Sequence, residues 1–320
     1  MVVDKIKKKV SGGTLKARLR KFEKTITAPI KRMKGWKKLN RSDYKAKFIH
    51  EGDIEICLPK VSVFNALFSS DKKPIRAADY LSRPNAEVLL RKTIFGLYKQ
   101  GYLSEKKSII DIGCWLADNS LVWAKLLDQD STVYAVDPSI ENLSFGKELA
   151  ELNGIRNVSW VEAVCSDRSG VSLDFDGQLD HTGFFESSDS NPMQIKSTTL
   201  DEIVGESNRQ NIGLMHVDVE GFELKVLRGA ETIIDESRPV IIFEQHISKE
   251  DVGSVVGFLK AKNYDIFMIN EVLSGCSLDC RNFIAVDANK GHPLIEQSDQ
   301  KRGSEEGIFY ACMGANLIEV

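Results

Sequence analysis

Six side chains in this sequence are of the kinds that move protons, hold hydroxyls or bind cations. They are Asp111, Asp137, Asp218, Glu220, Glu244 and His246, and each falls at or beside the end of a short apolar run. A carboxylate so placed can accept the two hydroxyls of a ribose, act as a general base or help to hold a cation. A histidine titrates near neutrality and suits proton removal. Each also has a structural reading. Asp111 could cap a helix or form a turn, and His246 could be a satisfied structural histidine. Glu220 and Glu223 could be acids at a helix N-terminus, where the dipole favours them.

The elements that must position these residues can be read from the periodicity. Ser108–Ile112 reads as a buried strand, Gly113 as a tight turn and Asp118–Leu127 as the helix after it. Strand, glycine turn and helix form the opening of an open α/β nucleotide-binding unit. A dinucleotide unit needs G-x-G-x-x-G, because the second glycine lets the backbone approach the pyrophosphate. Here Cys114, Trp115, Leu116 and Ala117 follow Gly113, so a pyrophosphate would meet side chains. S-adenosylmethionine has no phosphate, and one tight glycine beside its methionine part is enough. Thr132–Val136 reads as the second strand and ends in Asp137-Pro138, 26 residues beyond Asp111. That is near the distance at which an acid receives the ribose. A third stretch runs His216-Val217-Asp218-Val219-Glu220-Gly221-Phe222-Glu223, then Val226-Leu227-Arg228-Gly229-Ala230.

With this third stretch the chain resembles the FkbM family of S-adenosylmethionine-dependent O-methyltransferases. The family pattern runs D-I-G-x-x-x-G, a strand ending in E/D-P, T-L-D, and K-x-D-x-E-G-x-E-x-x-V-L-x-G. The matching residues are Asp111-Ile112-Gly113, Asp137-Pro138, Thr199-Leu200-Asp201 and Asp218-x-Glu220-Gly221-x-Glu223, in order over roughly residues 80–287. Ala117 replaces the usual second glycine and crowds the methionine end, and His216 replaces the usual lysine. The resemblance implies an α/β fold: a Rossmann-like, seven-stranded class I methyltransferase sheet with one antiparallel strand near its edge. It also implies S-adenosyl-L-methionine as cofactor and a hydroxyl on a small molecule or glycan as acceptor, with a saccharide preferred.

Ligands of open α/β sheets bind at the carboxyl ends of the strands. Asp111 and Gly113 are expected at the methionine end, with Asp118 as a further cofactor contact. Asp137 is expected at the ribose, Glu162 and Ala163 beside the adenine, and Asp218 near the methyl donor. Transfer to a hydroxyl needs an aligned acceptor and a group to take its proton. His246 and Asp218 compete for that role. Asp218 with Glu244 could instead hold Mg²⁺, which prefers carboxylate oxygens.

Composition bounds the rest. The chain has 320 residues, 42% of them hydrophobic, and a mean hydropathy of −0.21, the values of a soluble globular protein. No run of about 20 apolar residues suggests a membrane span, and no apolar signal core suggests export. A cytoplasmic location is therefore expected. The six cysteines are scattered without a C-x-x-C pair. They read as buried thiols in a reducing compartment, and no zinc site is expected.

The net charge of −3 is unevenly spread. Residues 1–50 carry 17 Lys and Arg against 3 Asp and Glu, a local +14, while the other 270 carry 26 against 43. Leu15, Leu19, Phe22, Ile26, Ile30 and Met33 recur at helical spacing among the basic residues, with Pro29 as an interruption. Such a helix can lie at an anionic membrane surface through residues 1–40, making the protein peripheral. Alternatively it packs on its own domain or on another copy, giving a homo-oligomer. Nucleic acid ranks last, because few aromatics interleave with the basic residues.

The expected organisation has four parts. Residues 1–47 form a basic amphipathic helical extension, and 48–104 a cover or substrate region with Tyr80, Arg83 and a helix over 84–100. Residues 105–287 form the S-adenosylmethionine-binding domain and 288–320 a tail. Strands are expected near 108–112, 132–136, 158–164, 212–217, 239–244, 264–269 and 282–286. Helices are expected near 118–128, 139–153, 221–236 and 249–262. The polar insertion at 170–197 reads as an acceptor lid or a plain hairpin. Two other functions compete. An NAD(P)-dependent oxidoreductase or epimerase is disfavoured by the missing second glycine. A non-catalytic membrane- or glycan-binding protein is disfavoured by the intact acidic positions.

Overall fold

The computed structural model describes residues 47–58, 86–175, 184–186, 194–247, 251–271, 280–291 and 317–320. The basic N-terminal stripe, Tyr80, Arg83 and most of the expected tail lie outside them. After a hairpin of β1 (Lys47–Glu51) and β2 (Ile54–Leu58) comes helix α1 (Val88–Lys99). Strands and helices then alternate as β3 (Ser108–Ile112), α2 (Asp118–Ala124), β4 (Val133–Asp137), α3 (Ile140–Asn153) and β5 (Val158–Glu162). A side sheet comes next, made of β6 (Val164–Cys165), β7 (Ser172–Phe175), β8 (Phe184–Glu186) and β9 (Gln194–Thr198). The chain continues through α4 (Leu200–Val204), β10 (Ile212–Val217), α5 (Glu223–Arg228), α6 (Glu231–Ser237), β11 (Val240–His246) and α7 (Val252–Ala261). It ends with β12 (Tyr264–Ile269), β13 (Cys280–Asp287) and β14 (Leu317–Glu319).

The main sheet has the order β14-β12-β13-β11-β10-β3-β4-β5. β5, β4, β3, β10 and β11 pair in parallel, and β13 runs antiparallel between β11 and β12. These strands and β12 make the expected seven-stranded sheet, with the antiparallel β13 beside its edge. β14 adds a short antiparallel edge beyond it, so part of the expected tail belongs to the sheet. Among the described residues, no helix is long and apolar enough to cross a membrane.

Both faces of the sheet are buried, which is why its strands read as near-continuous apolar runs. Alternation along each strand divides the core in two. Ile109, Leu214, Ile242 and Ile284 face α1 and α2, packed with Leu90, Ile94 and Trp123. Ile110, Met215, Ile241 and Phe283 face α5, α6 and α7, packed with Val226, Ile233 and Leu259. The first face is apolar only at the amino-terminal end of the parallel strands. Its later positions are Asp111, His216, Asp218, Glu244, Asn282 and Cys280, and that change of character makes the site.

The single helix expected over 221–236 is two, and Gly229 sits at the break. A Cβ there would stand 2.1 Å from the carbonyl oxygen of Ser166, so the segment lies against the end of β6. The T-L-D stretch is structural. The Thr199 hydroxyl caps α4 by accepting from Glu202 N–H, and the Asp201 carboxylate accepts from Thr232 and Ile233 N–H at the start of α6. The insertion at 170–197 is anchored as strands β7, β8 and β9, while 176–183 and 187–193 lie outside the described residues. Of the expected cover, β2 packs against α2 and α3. There the Cys57 backbone pairs with Asn153 at the C-terminal end of α3, away from the strand tips. Among the described residues of the cover, Glu87 and the start of α1 reach the tips.

Candidate functional site

The turn after β3 is the pivot of the site. Gly113 has φ 76°, and a Cβ there would stand 1.7 Å from the carbonyl oxygen of Asp218. Only glycine lets the first strand's turn lie against the end of β10. Asp218 N–H in return donates to Ile112 O at 3.0 Å. Trp115 and Ala117 also take left-handed backbone, with φ 44° and 58°. The position where the family has a second glycine is thus a left-handed helix entry, which Ala117 occupies at a steric cost.

Asp137, at the tip of β4, is 5% exposed. Its Oδ2 accepts from Trp115 N–H at 3.0 Å, and its Oδ1 from Ser139 N–H at 2.8 Å and Asn142 Nδ2 at 3.1 Å. Burial raises its pKa to about 7, against the pull of those three donors. A carboxylate has about four acceptor directions, and three are used. Asp137 can therefore take one further donor rather than the two hydroxyls expected of it. The neighbouring Asn142 Oδ1 is buried without a partner among the described residues, which supplies a second acceptor. Glu162 stands opposite Asp137 in the β4–β5 register and is exposed, and Ala163 N–H donates to Asp137 O at 3.4 Å.

Asp111 is turned inward. Its Oδ1 lies 2.9 Å from His216 Nδ1 and its Oδ2 accepts from the Ser120 hydroxyl. His216 is likewise buried, with Trp123 edge-on at 5.1 Å. Burial pulls the imidazolium pKa down. The Asp111 hydrogen bond and charge, then the charges of Glu87 and Asp218, outweigh it and hold the value up at about 9. The residue that replaces the family's lysine is thus also a cation. Asp118 begins α2 as a buried first-turn acid.

Asp218 is half-buried between other acids. Burial, then the charges of Glu244 and Glu220, push its carboxyl well above the usual carboxylate range, with His216 opposing. Glu220 has φ 51° and its Oε2 lies 3.5 Å from His246 Nε2. Glu223 is different. Its Oε1 accepts from Val219 and Gly221 N–H and its Oε2 from Gln245 Nε2, so it clasps the turn that carries Asp218 and Glu220. Glu244 Oε1 meets Cys280 Sγ at 2.8 Å.

Three residues of this face escape a reading by motif. Glu87 takes Asn119 Nδ2 at 2.7 Å and Asn282 Nδ2 at 3.1 Å, joining α1, α2 and β13. Glu271 fixes the helix that carries Glu87 by accepting from Leu89 and Leu90 N–H. The Oδ1 atoms of Asn119 and Asn282 and the Nε2 of His216 are buried without partners among the described residues. Buried polar atoms of this kind call for a polar partner.

Residues 116–266 match the methyltransferase FkbM domain. No match was found among curated proteins. Among solved structures, the chain is similar to the methyltransferase FkbM of Methylobacillus flagellatus KT, with 13% identity, 70% of this chain and 57% of that one covered, and a TM-score of 0.41. The ribosomal protein L11 methylase of Lactobacillus delbrueckii subsp. bulgaricus shows 14% identity over 62% and 77% of the two chains, with a TM-score of 0.37. A Streptococcus mutans protein described as a methyltransferase and solved with S-adenosylhomocysteine shows 12% identity over 57% and 90%, also at 0.37. What the chain shows is therefore a likeness, over residues 116–266, to the methyltransferase FkbM domain.

Proposed function

We propose that the protein transfers a methyl group to a hydroxyl, that of a saccharide or a similar polyhydroxylated small molecule. The observation that carries this reading is the acid-rich end of one sheet face, where the charges of Glu244 and Glu220 bear on Asp218. A neutral amine brings its own lone pair and needs no strong base. A hydroxyl is a poor acid and needs a group to take its proton. Several carboxylates at one end also suit an acceptor with several hydroxyls, since each can accept a hydrogen bond.

The Gly113 turn, Asp137 with Asn142, and exposed Glu162 would hold the cofactor. When bound, S-adenosylmethionine supplies a methyl group on a cationic sulfonium. Asp218 holds its proton while acids crowd it. A further positive charge beside it lowers its pKa, so the carboxylate becomes a base when the site is filled. Asp218 then accepts the acceptor's proton. Asp218→Asn should lower turnover by ~10²–10⁴ with labelled methyl donor and a panel of sugar acceptors. Affinity for S-adenosylhomocysteine should stay within a few-fold. Wild-type turnover in the variant would move the base elsewhere.

A further inference from the structure

We propose that Glu244, His246 and Cys280 form a transition-metal site, with zinc the ion that its donors fit best. Their ligand atoms all lie within 4.8 Å of one another. Strand register makes this convergence necessary. Across β11 and β13, His246 pairs with Cys280 and Glu244 with Asn282. Residues two apart on a strand share a face. All three donors therefore stand on one face, at the end where β11 finishes and β13 begins. Cys280 is fully buried, with its Sγ 2.8 Å from Glu244 Oε1.

A tetrahedral ion with bonds of ~2.0–2.3 Å holds its ligands ~3.3–3.8 Å apart. Side-chain adjustments of about an ångström bring these donors to that spacing. With His246 Nδ1 as the ligand, Glu220 Oε2, 3.5 Å from Nε2, orients the imidazole from its other nitrogen. The donor set decides the ion. Thiolate, imidazole and carboxylate together match zinc, whereas Mg²⁺ takes oxygens and leaves the Cys280 sulfur unused. Binding replaces the thiol proton of Cys280 with the metal, and one proton goes to solvent. No local cysteine motif announces the site in the sequence, because its ligands come from two paired strands.

The test uses the full-length protein, stripped with a chelator and titrated with Zn²⁺ or Co²⁺. One equivalent should bind, and the Co²⁺ form should show a thiolate-to-metal charge-transfer band. Cys280→Ser should abolish the band. Glu220→Gln should weaken Zn²⁺ binding by ~10–100-fold. Should Cys280→Ser fail to fold, His246→Gln, checked by circular dichroism, serves in its place and should weaken Zn²⁺ binding and alter the Co²⁺ spectrum. No stoichiometric binding by the wild type overturns the proposal, as does a Co²⁺ spectrum unchanged in the folded variants. The readout is metal content and spectrum, so its failure leaves the methyl-transfer reading untouched.

Discussion

His216 and Asp111 face each other across β10 and β3, with Nδ1 and Oδ1 2.9 Å apart and both side chains buried. The ordinary histidine value is 6.5, and here the imidazole is held up at about 9. A raised histidine favours the fold while the native state binds more protons. That contribution is complete below about pH 6.5 and is lost as pH climbs through about 9. Thermal midpoints measured across this window should fall for the wild type. His216→Gln should start lower and stay flatter. An equal slope in both proteins would put the titrating group elsewhere.

Asp137 is an acid whose proton is retained by the fold. Its carboxyl is raised from 3.8 to about 7, so the native state holds a proton that the unfolded chain has released. Its contribution to stability falls as pH rises through that interval. The ionised form is the better acceptor for a hydroxyl, so affinity for S-adenosylhomocysteine should increase as pH passes about 7. Asp137→Ala should remove that dependence and cost ~1.5–3 kcal/mol of binding, measured by calorimetry. Unchanged affinity would place the ribose away from β4.

Glu223 is buried and accepts three hydrogen bonds, one from buried Gln245 and two from the half-buried Val219 and exposed Gly221 backbone. Glu223→Ala leaves Val219 N–H, Gly221 N–H and Gln245 Nε2 short of an acceptor, at ~1–3 kcal/mol for each group that water does not reach. Urea unfolding should show a loss of at least ~2 kcal/mol. Turnover should fall with it, since the clasped turn carries Asp218 and Glu220. Full stability in the variant would contradict the clasp.

The strand tips are legible because alternation and length betray a buried strand, and in an α/β unit the residues just beyond a strand's carboxyl end lie near the ligand. Gly113, Asp137, Asp218, Glu244 and His246 can be located that way. Glu87, Asn119 and Asn282 cannot. They meet through the hydrogen bonds that Asn119 and Asn282 donate to Glu87, and no local pattern encodes which turn of a helix faces which strand. Cys280 is hidden likewise, since an antiparallel register is set by pairing and leaves no spacing signal in one chain. The inward turn of Asp111 does have a cue. A histidine in the lysine position of the motif, two residues before Asp218, calls for an anion at the facing position of the next strand. The split of the helix over 221–236 depends on contact with Ser166, which lies too far away in sequence to read.

The +14 on residues 1–50 leads us to expect sedimentation with anionic vesicles at low salt. Removing residues 1–40 should abolish it without altering affinity for S-adenosylhomocysteine. Exposed charges are screened within about 10 Å at 0.1 M salt, so higher salt should also release the intact protein. Binding that survives the deletion would assign the surface to another part of the chain.

The 1.7 Å between a notional Cβ on Gly113 and the carbonyl oxygen of Asp218 reaches beyond the turn itself. It makes the donor-binding and acid-bearing ends mechanically one part. A side chain added at 113 cannot reshape the donor pocket alone, because it must first displace the strand end that carries Asp218. Variation that adapts such an enzyme to larger donors is then closed at this position. It has to enter through side chains that can change size without moving β10, such as the exposed Glu162 at the tip of β5.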